Sequence, residues 1–235
     1  MDRLNVLSID FDYFQEIPRD TLPAFPDGID LPLQLSNLVW ASRYMCYAEQ
    51  FQKVLFDKEN FSLLKEILAK QSSNTPVIIA SSHKEAYKFI HYINRNRKDG
   101  RVSLTNVDLH HDLDNGNKEL DCGNWIGFLL KEHLLYNFTW VTKPLSQQVY
   151  GLSDDDMNGF HAHFDLSKIS NTKFDAIFIC KSNPWVLPDF DPYFTELVEL
   201  CKKHFQTPDI ESEIKKIRIL PKIQMETPKR VRKEK

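Results

Sequence analysis

An α/β protein with a largely parallel sheet covered by helices is the architecture this sequence predicts. Three observations lead to it. Short apolar runs of strand length alternate with longer stretches of helical apolar spacing, the pattern of repeated strand-helix-strand units. Several of the apolar runs end abruptly in acids, histidines or small polar residues, at the edge where ligands bind in open α/β sheets. At 235 residues, with 42% hydrophobic and 12% aromatic residues including sixteen Phe, the chain suits one globular domain with a well-filled core.

Residues 4–9 are the first strand, which runs into Asp10-Phe11-Asp12 and leaves Asp10 and Asp12 on one face at its C-terminal end. Four prolines and a glycine make residues 17–32 an irregular loop, long enough to be a lid. Leu35, Leu38, Val39, Met45 and Cys46 recur at helical spacing and predict a helix over 33–56, followed by a shorter one over 61–68. A turn cluster at 72–76 precedes a second strand at 77–80, which delivers His83 to the start of a helix over 84–94.

The third strand, 101–109, leads into Asp108-Leu109-His110-His111-Asp112. On an extended strand Asp108, His110 and Asp112 project from one face, and His111 from the other. A turn at 114–117, a helix over 125–135, short strands at 138–141 and 148–152 and a solvated acidic loop at 154–156 come next. His161 and His163 then form a second histidine pair, before the last strand at 175–180 and a closing helix over 192–205 with Pro192 in its first turn. The folded domain is expected over 1–205, with 206–235 as a basic tail: from residue 215 to the end there are nine Lys or Arg against two Glu.

A net charge of −3 gives the body of the protein no electrostatic case for binding nucleic acid or membranes, and no apolar run reaches transmembrane length. The basic tail is either a solvated end or a contact for an acidic partner such as a peptide leader. Cys46, Cys122, Cys180 and Cys201 form no Cys-x-x-Cys pair, which argues against a zinc knuckle or a redox motif. With no signal-like segment before the first strand, the expectation is a soluble cytoplasmic protein with reduced thiols.

Three strands thus end in Asp10-x-Asp12, His83 and Asp108-x-His110-x-Asp112. Carboxylates gathered this closely raise one another's pKa unless a cation compensates them. Four carboxylates and two imidazoles suit two divalent ions, and the oxygen-rich set favours manganese over zinc. Two such ions at about 3.5–4 Å bridge and activate a water for hydrolysis at neutral pH.

These residues resemble the arginase-like ureohydrolases. Asp108-Leu109-His110-His111-Asp112 is similar to that family's Asp-Ala-His-x-Asp signature, Ser8-Ile9-Asp10-Phe11-Asp12 to its Ser-Phe-Asp-x-Asp signature, and Ala80-Ser81-Ser82-His83 stands in the place of its Gly-Gly-Asp-His. The segment from Gly123 to Glu132 also looks like the one that follows the family's signature. The resemblance implies a three-layer arginase-like fold and two Mn2+, with His83 and Asp112 on one ion, His110 and Asp12 on the other, and Asp108 and Asp10 bridging both. A metal-bound hydroxide would attack the guanidinium carbon and release ornithine and urea.

The chain departs from the family in three places. Its Asp-x-Asp strand precedes the Asp-x-His-x-Asp strand, as in a circularly permuted relative. Ile126 stands where arginases have a proton-shuttling histidine, which leaves His111, His161 and His163 as candidates for that role. The guanidinium-binding glutamate has no counterpart near 180–184, and the loop after Asp112 differs; Asn124, Ser182 and Asn183 are the remaining candidates for contacting substrate. A site without a grip on the α-amine and α-carboxylate suits arginine within a chain. The combination resembles the peptide arginases, which make ornithine in ribosomally synthesised precursor peptides. Three other readings stand beside it: a ureohydrolase of free arginine or another guanidino compound; a haloacid-dehalogenase-like phosphatase using Asp10, Asp12, Lys181, Asp189 and Asp191; and a non-catalytic metal-binding module.

Overall fold

A computed structural model of the chain describes residues 3–26, 30–95, 97, 100–113, 118–152 and 160–211. In chain order its strands are β1 (Leu4–Asp10), β2 (Gln15–Glu16), β3 (Leu55–Phe56), β4 (Val77–Ala80), β5 (Val102–Val107), β6 (Leu135–Val141), β7 (Phe160–His163), β8 (Ala176–Cys180) and β9 (Asp209–Ile210). The helices are α1 (Leu33–Phe51), α2 (Lys58–Ala69), α3 (Glu85–Asn94), α4 (Trp125–Lys131), α5 (Pro144–Tyr150) and α6 (Asp191–His204). β2 and β3 pair with each other, antiparallel. The other seven form one sheet in the order β7-β6-β5-β1-β8-β4-β9, in which every pair is parallel.

A parallel sheet buried on both faces needs strands that are apolar on both faces, and β8, Ala-Ile-Phe-Ile-Cys, is buried throughout. Alternation sends Leu7, Ile9, Ile177 and Ile179 into one core with Phe61 and Leu64 of α2 and Phe194 and Leu197 of α6. Val6, Leu104, Ala176 and Phe178 enter a second core with Phe89 and Ile90 of α3 and Trp125 and Leu129 of α4. The result is the three-layer α/β arrangement, with β1 at its centre. β4 and β5 follow one another in the chain yet lie on opposite sides of β1, so the direction of winding reverses there. Such a reversal opens a crevice at the C-terminal ends of the strands.

Several elements differ from expectation. Residues 148–150 of the segment 148–152, expected as a strand, belong to α5, which starts at Pro144, where the fixed φ suits a first helical turn. α5 ends before Gly151, where a Cβ would sit 2.0 Å from the Gln147 carbonyl oxygen. The helix expected over 125–135 stops at Lys131, and His133 turns the chain at φ 58° into β6. The apolar stripe expected to bury α1 faces outward at Leu35, Leu38 and Met45, whereas Leu33, Ser36, Trp40 and Phe51 are buried. Trp40 decides this: its ring packs edge-on against Phe25 and Phe51, each 5.6 Å away.

His161 and His163 lie on β7, which pairs with β6. Residues 209–210, placed by sequence in the basic tail, pair with β4 as β9. The turn at 114–117, the acidic loop at 154–156 and the basic run at 229–235 lie outside the described residues, as do 27–29 of the expected lid. Among the described residues no helix is long and apolar enough to cross a membrane, and all four cysteines are free.

Candidate metal centre

Four adjacent strands, β5, β1, β8 and β4, converge on one cluster at their C-terminal ends. The strands deliver it less by alternation than by stopping. β5 ends at Val107, because the Asp108 carboxylate turns back: its Oδ1 accepts the His110 backbone N–H at 2.7 Å, a local bond that competes with continued strand pairing. β1 ends at Asp10 in the same way, with Asp10 Oδ1 accepting the Asp12 N–H at 3.1 Å and capping the 3-10 turn of residues 11–14. Asp112 and Ser182 have φ of 55° and 48°, a left-handed conformation that non-glycine residues adopt at an energetic penalty and that clusters at functional sites.

His83 Nδ1 lies 3.0, 3.2 and 3.3 Å from Oδ2 of Asp112, Asp108 and Asp10. Its other nitrogen, Nε2, is 2.7 Å from Ser8 Oγ, and its ring stacks on Phe178. His110 Nδ1 lies 3.1 Å from Asp12 Oδ2 and 3.6 Å from Asp108 Oδ1, with its ring between Tyr150 and Trp185. Asp108 therefore turns one oxygen to each histidine. Two sets of three ligand atoms lie within 4.8 Å of one another, Asp10-His83-Asp108 and Asp12-Asp108-His110, and Asp108 is common to both. Asp10, expected to bridge as well, belongs to the first set alone. Its Oδ1 accepts the Asp12 N–H and its Oδ2 accepts from Ser182 Oγ, contacts that orient the carboxylate.

All four carboxyl groups are buried. Burial, then repulsion from Asp10 and Asp108, holds the Asp12 pKa well above the usual carboxylate range. Burial and the Asp108 charge push Asp112 up to about 7. Burial acts on Asp108 too, but hydrogen bonds and charge from His110 and His83 outweigh it and hold that group low. Burial alone would lower the two imidazoles, yet the carboxylates around them raise both, Asp112 and Asp10 first at His83, and Asp108 and Asp12 at His110.

Burial and crowding thus favour protons on Asp12, Asp112, His83 and His110, while Asp108 stays ionised. Asp12 Oδ2 is buried and accepts no well-directed hydrogen bond from the described residues, despite its closeness to His110. An orphaned acceptor, a surplus of buried carboxylate and two imidazole nitrogens fit divalent cations.

Residues the sequence reading did not single out orient this cluster. Trp125 Nε1 donates to Asp112 Oδ2 at 2.6 Å, and Asn106 Nδ2 to Asp108 Oδ2 at 3.1 Å. Ser8 and Asn106 stand side by side in the β1–β5 register, two residues before Asp10 and Asp108, so strand alternation was the available signal for both. Ser182, expected to touch substrate, lines a cavity beside the cluster and also donates to Asp10. Asn124 ties its own loop, accepting from Asp121 N at 2.9 Å and donating to Glu119 O at 2.8 Å. The Asn183 carbonyl accepts from Trp40 Nε1.

Two cavities open on the cluster. One of about 590 Å3 reaches Asp12 and His110; the other, about 350 Å3, reaches Asp10, His110, His111 and Asp112. His110, Tyr150 and Trp185 line both. Of the three shuttle candidates His111 lines a cavity at the cluster, contrary to the expectation that it faces away; the strand has already ended at Val107, so alternation no longer governs it. His161 and His163 line neither cavity and sit on β7, three strands from β1. Ile126 is buried in the second core. Comparison of the chain with family models, curated proteins and solved structures gives no match.

Proposed function

We propose that the chain is a two-cation hydrolase that converts arginine side chains within a peptide to ornithine and urea, with manganese as the resident metal. The observation that carries the reading is Asp108, whose two oxygens face two separate histidine-carboxylate sets. Asp10, His83 and Asp112 would hold one cation with Asp108, and Asp12 and His110 the other with it. Two bound divalent cations supply Lewis-acid polarisation and an activated water.

The remaining work falls to the chain. Ser8 and Trp125 fix the direction in which His83 and Asp112 present their ligand atoms. Burial of the carboxylates excludes bulk water and strengthens every charge interaction in the cluster. Hydrolysis adds the oxygen of one water to the guanidinium carbon and breaks its bond to the side-chain nitrogen. That nitrogen takes a proton and stays on the peptide as the ornithine amine, and urea leaves with the carbon. His111 lines the smaller cavity and its Nδ1 accepts the Leu113 N–H at 2.9 Å, so the neutral ring carries its proton on Nε2, which supports a proton-donor role.

The phosphatase reading is disfavoured by Lys181, whose Nζ lies 3.4 Å from Asp191 Oδ2 and 5.7 Å from the Phe194 ring centroid, among the residues packed on the other face of the sheet. The test is manganese-loaded protein incubated with an arginine-containing peptide, with urea assayed and the peptide weighed by mass spectrometry. Urea release with a matching loss of about 42 Da, the CN2H2 unit removed by hydrolysis, is the expected result. Metal-loaded protein that releases no urea from free or peptidyl arginine would remove the hydrolase reading.

A further inference from the structure

The larger cavity is too big and too apolar to serve the reacting group alone. A guanidinium has four heavy atoms, which at about a water-sized 30 Å3 each occupy roughly 120 Å3. The cavity measures about 590 Å3. From Asp12 and His110 it extends between the loop after β2, the β3 strand and α5, with walls from Leu22, Phe25, Leu55, Leu145, Val149 and Phe164.

Three of these wall residues are large hydrophobics left in solvent: Leu55 is 59% exposed, Phe164 51% and Val149 39%. Apolar surface gathered on the wall of a cleft, unlike apolar residues scattered singly, marks a binding surface. The lysines that line the cavity already face carboxylates, Lys143 with Asp57 at 2.9 Å and Lys53 with Asp20 at 3.0 Å. With Glu16 also on its rim, the wall is better matched to an apolar group than to the α-carboxylate of a free amino acid.

We propose that this cavity is a subsite for a bulky apolar side chain adjacent to the reacting arginine in the peptide, an inference that rests on the hydrolase reading above. Its continuity with the cluster through Asp12, Leu109, His110 and Trp185 sets the reach: the apolar group and the guanidinium must come from neighbouring residues of one chain.

The test compares two short peptides that differ only in the residue beside arginine, leucine or phenylalanine in one and serine in the other. Turnover is measured with manganese-loaded wild type and with a V149S/F164S variant. Equilibrium binding of the fluorescently labelled ornithine-containing counterparts is measured in parallel, with manganese content as the folding control. The wild type is expected to prefer the apolar peptide about tenfold or more in kcat/KM and in affinity, a discrimination of the size apolar pockets provide. In the variant the ratio is expected to approach one at unchanged metal content. Hydrolysis of both peptides with equal efficiency, and equal binding of both, overturns the subsite and leaves the hydrolase standing. Preferential binding of the apolar peptide that the variant loses, without hydrolysis of either, supports the subsite and removes the arginine chemistry.

Discussion

Replacing Asp108 by asparagine separates a shared ligand from an ordinary one. In the wild type Asp108 Oδ2 lies 3.2 Å from His83 Nδ1 and Oδ1 lies 3.6 Å from His110 Nδ1, so each set of ligands receives one oxygen. An amide of the same shape keeps one oxygen and turns an NH2 toward the other set, where it can ligate nothing. It also replaces one of four buried carboxyl groups by a neutral amide. A charge-assisted contact is worth about 1.5–3 kcal/mol, or roughly 10- to 150-fold in affinity. Asp108→Asn is therefore expected to retain at most one manganese, bound at least about tenfold more weakly. Asp12→Asn touches only one set and is expected to retain one manganese near wild-type affinity. The assay is metal content after dialysis against graded free manganese, with circular dichroism to confirm the fold. Loss of metal from Asp12→Asn equal to that from Asp108→Asn would refute the shared role of Asp108.

Three further outcomes follow from the same geometry. Ser8→Ala and Trp125→Phe, which remove the contacts to His83 Nε2 and Asp112 Oδ2, should each weaken manganese binding about 10- to 100-fold; chelator competition measures this, and unchanged affinity would contradict it. In metal-free protein Asp12, Asp112, His83 and His110 all hold protons more tightly than in the unfolded chain, so their stabilisation is complete at low pH and is lost as pH rises; for Asp112 the window runs from 3.8 to about 7. Tm of the metal-free protein should fall across that window, and added manganese should raise Tm more at the upper end; a flat profile would count against it. Lys181→Ala removes the buried ammonium 3.4 Å from Asp191 and should lower the urea midpoint, with K181M/D191L recovering part of the loss; an unchanged midpoint in Lys181→Ala would contradict it.

The strands that build the centre were legible because each is a short apolar run with polar chemistry at its end: residues 4–10, 77–80, 102–107 and 176–180 stand within two residues of where the sequence put them. The six acids and histidines were legible for the same reason, as chemistry placed where a strand gives out. What brings them together was not. Neither β8 as the strand between β1 and β4, nor the Trp125 bond to Asp112 across thirteen residues, leaves a local trace. At α1 periodicity found the helix but not its buried face: apolar residues line an outward face as well, and the large Trp40 ring settles the orientation. At 148–152 a strand was expected, but Pro144 had already started a helix that runs to Tyr150. The two-residue strands β2, β3 and β9 owe their existence to partners far along the chain and carry no periodicity of their own.

Anomalous diffraction from crystals grown with manganese tests the two-cation claim most directly. The account predicts two anomalous peaks, one among Asp10, His83, Asp108 and Asp112 and one among Asp12, Asp108 and His110, with an oxygen of Asp108 facing each. A single peak, or peaks away from Asp108, would contradict it.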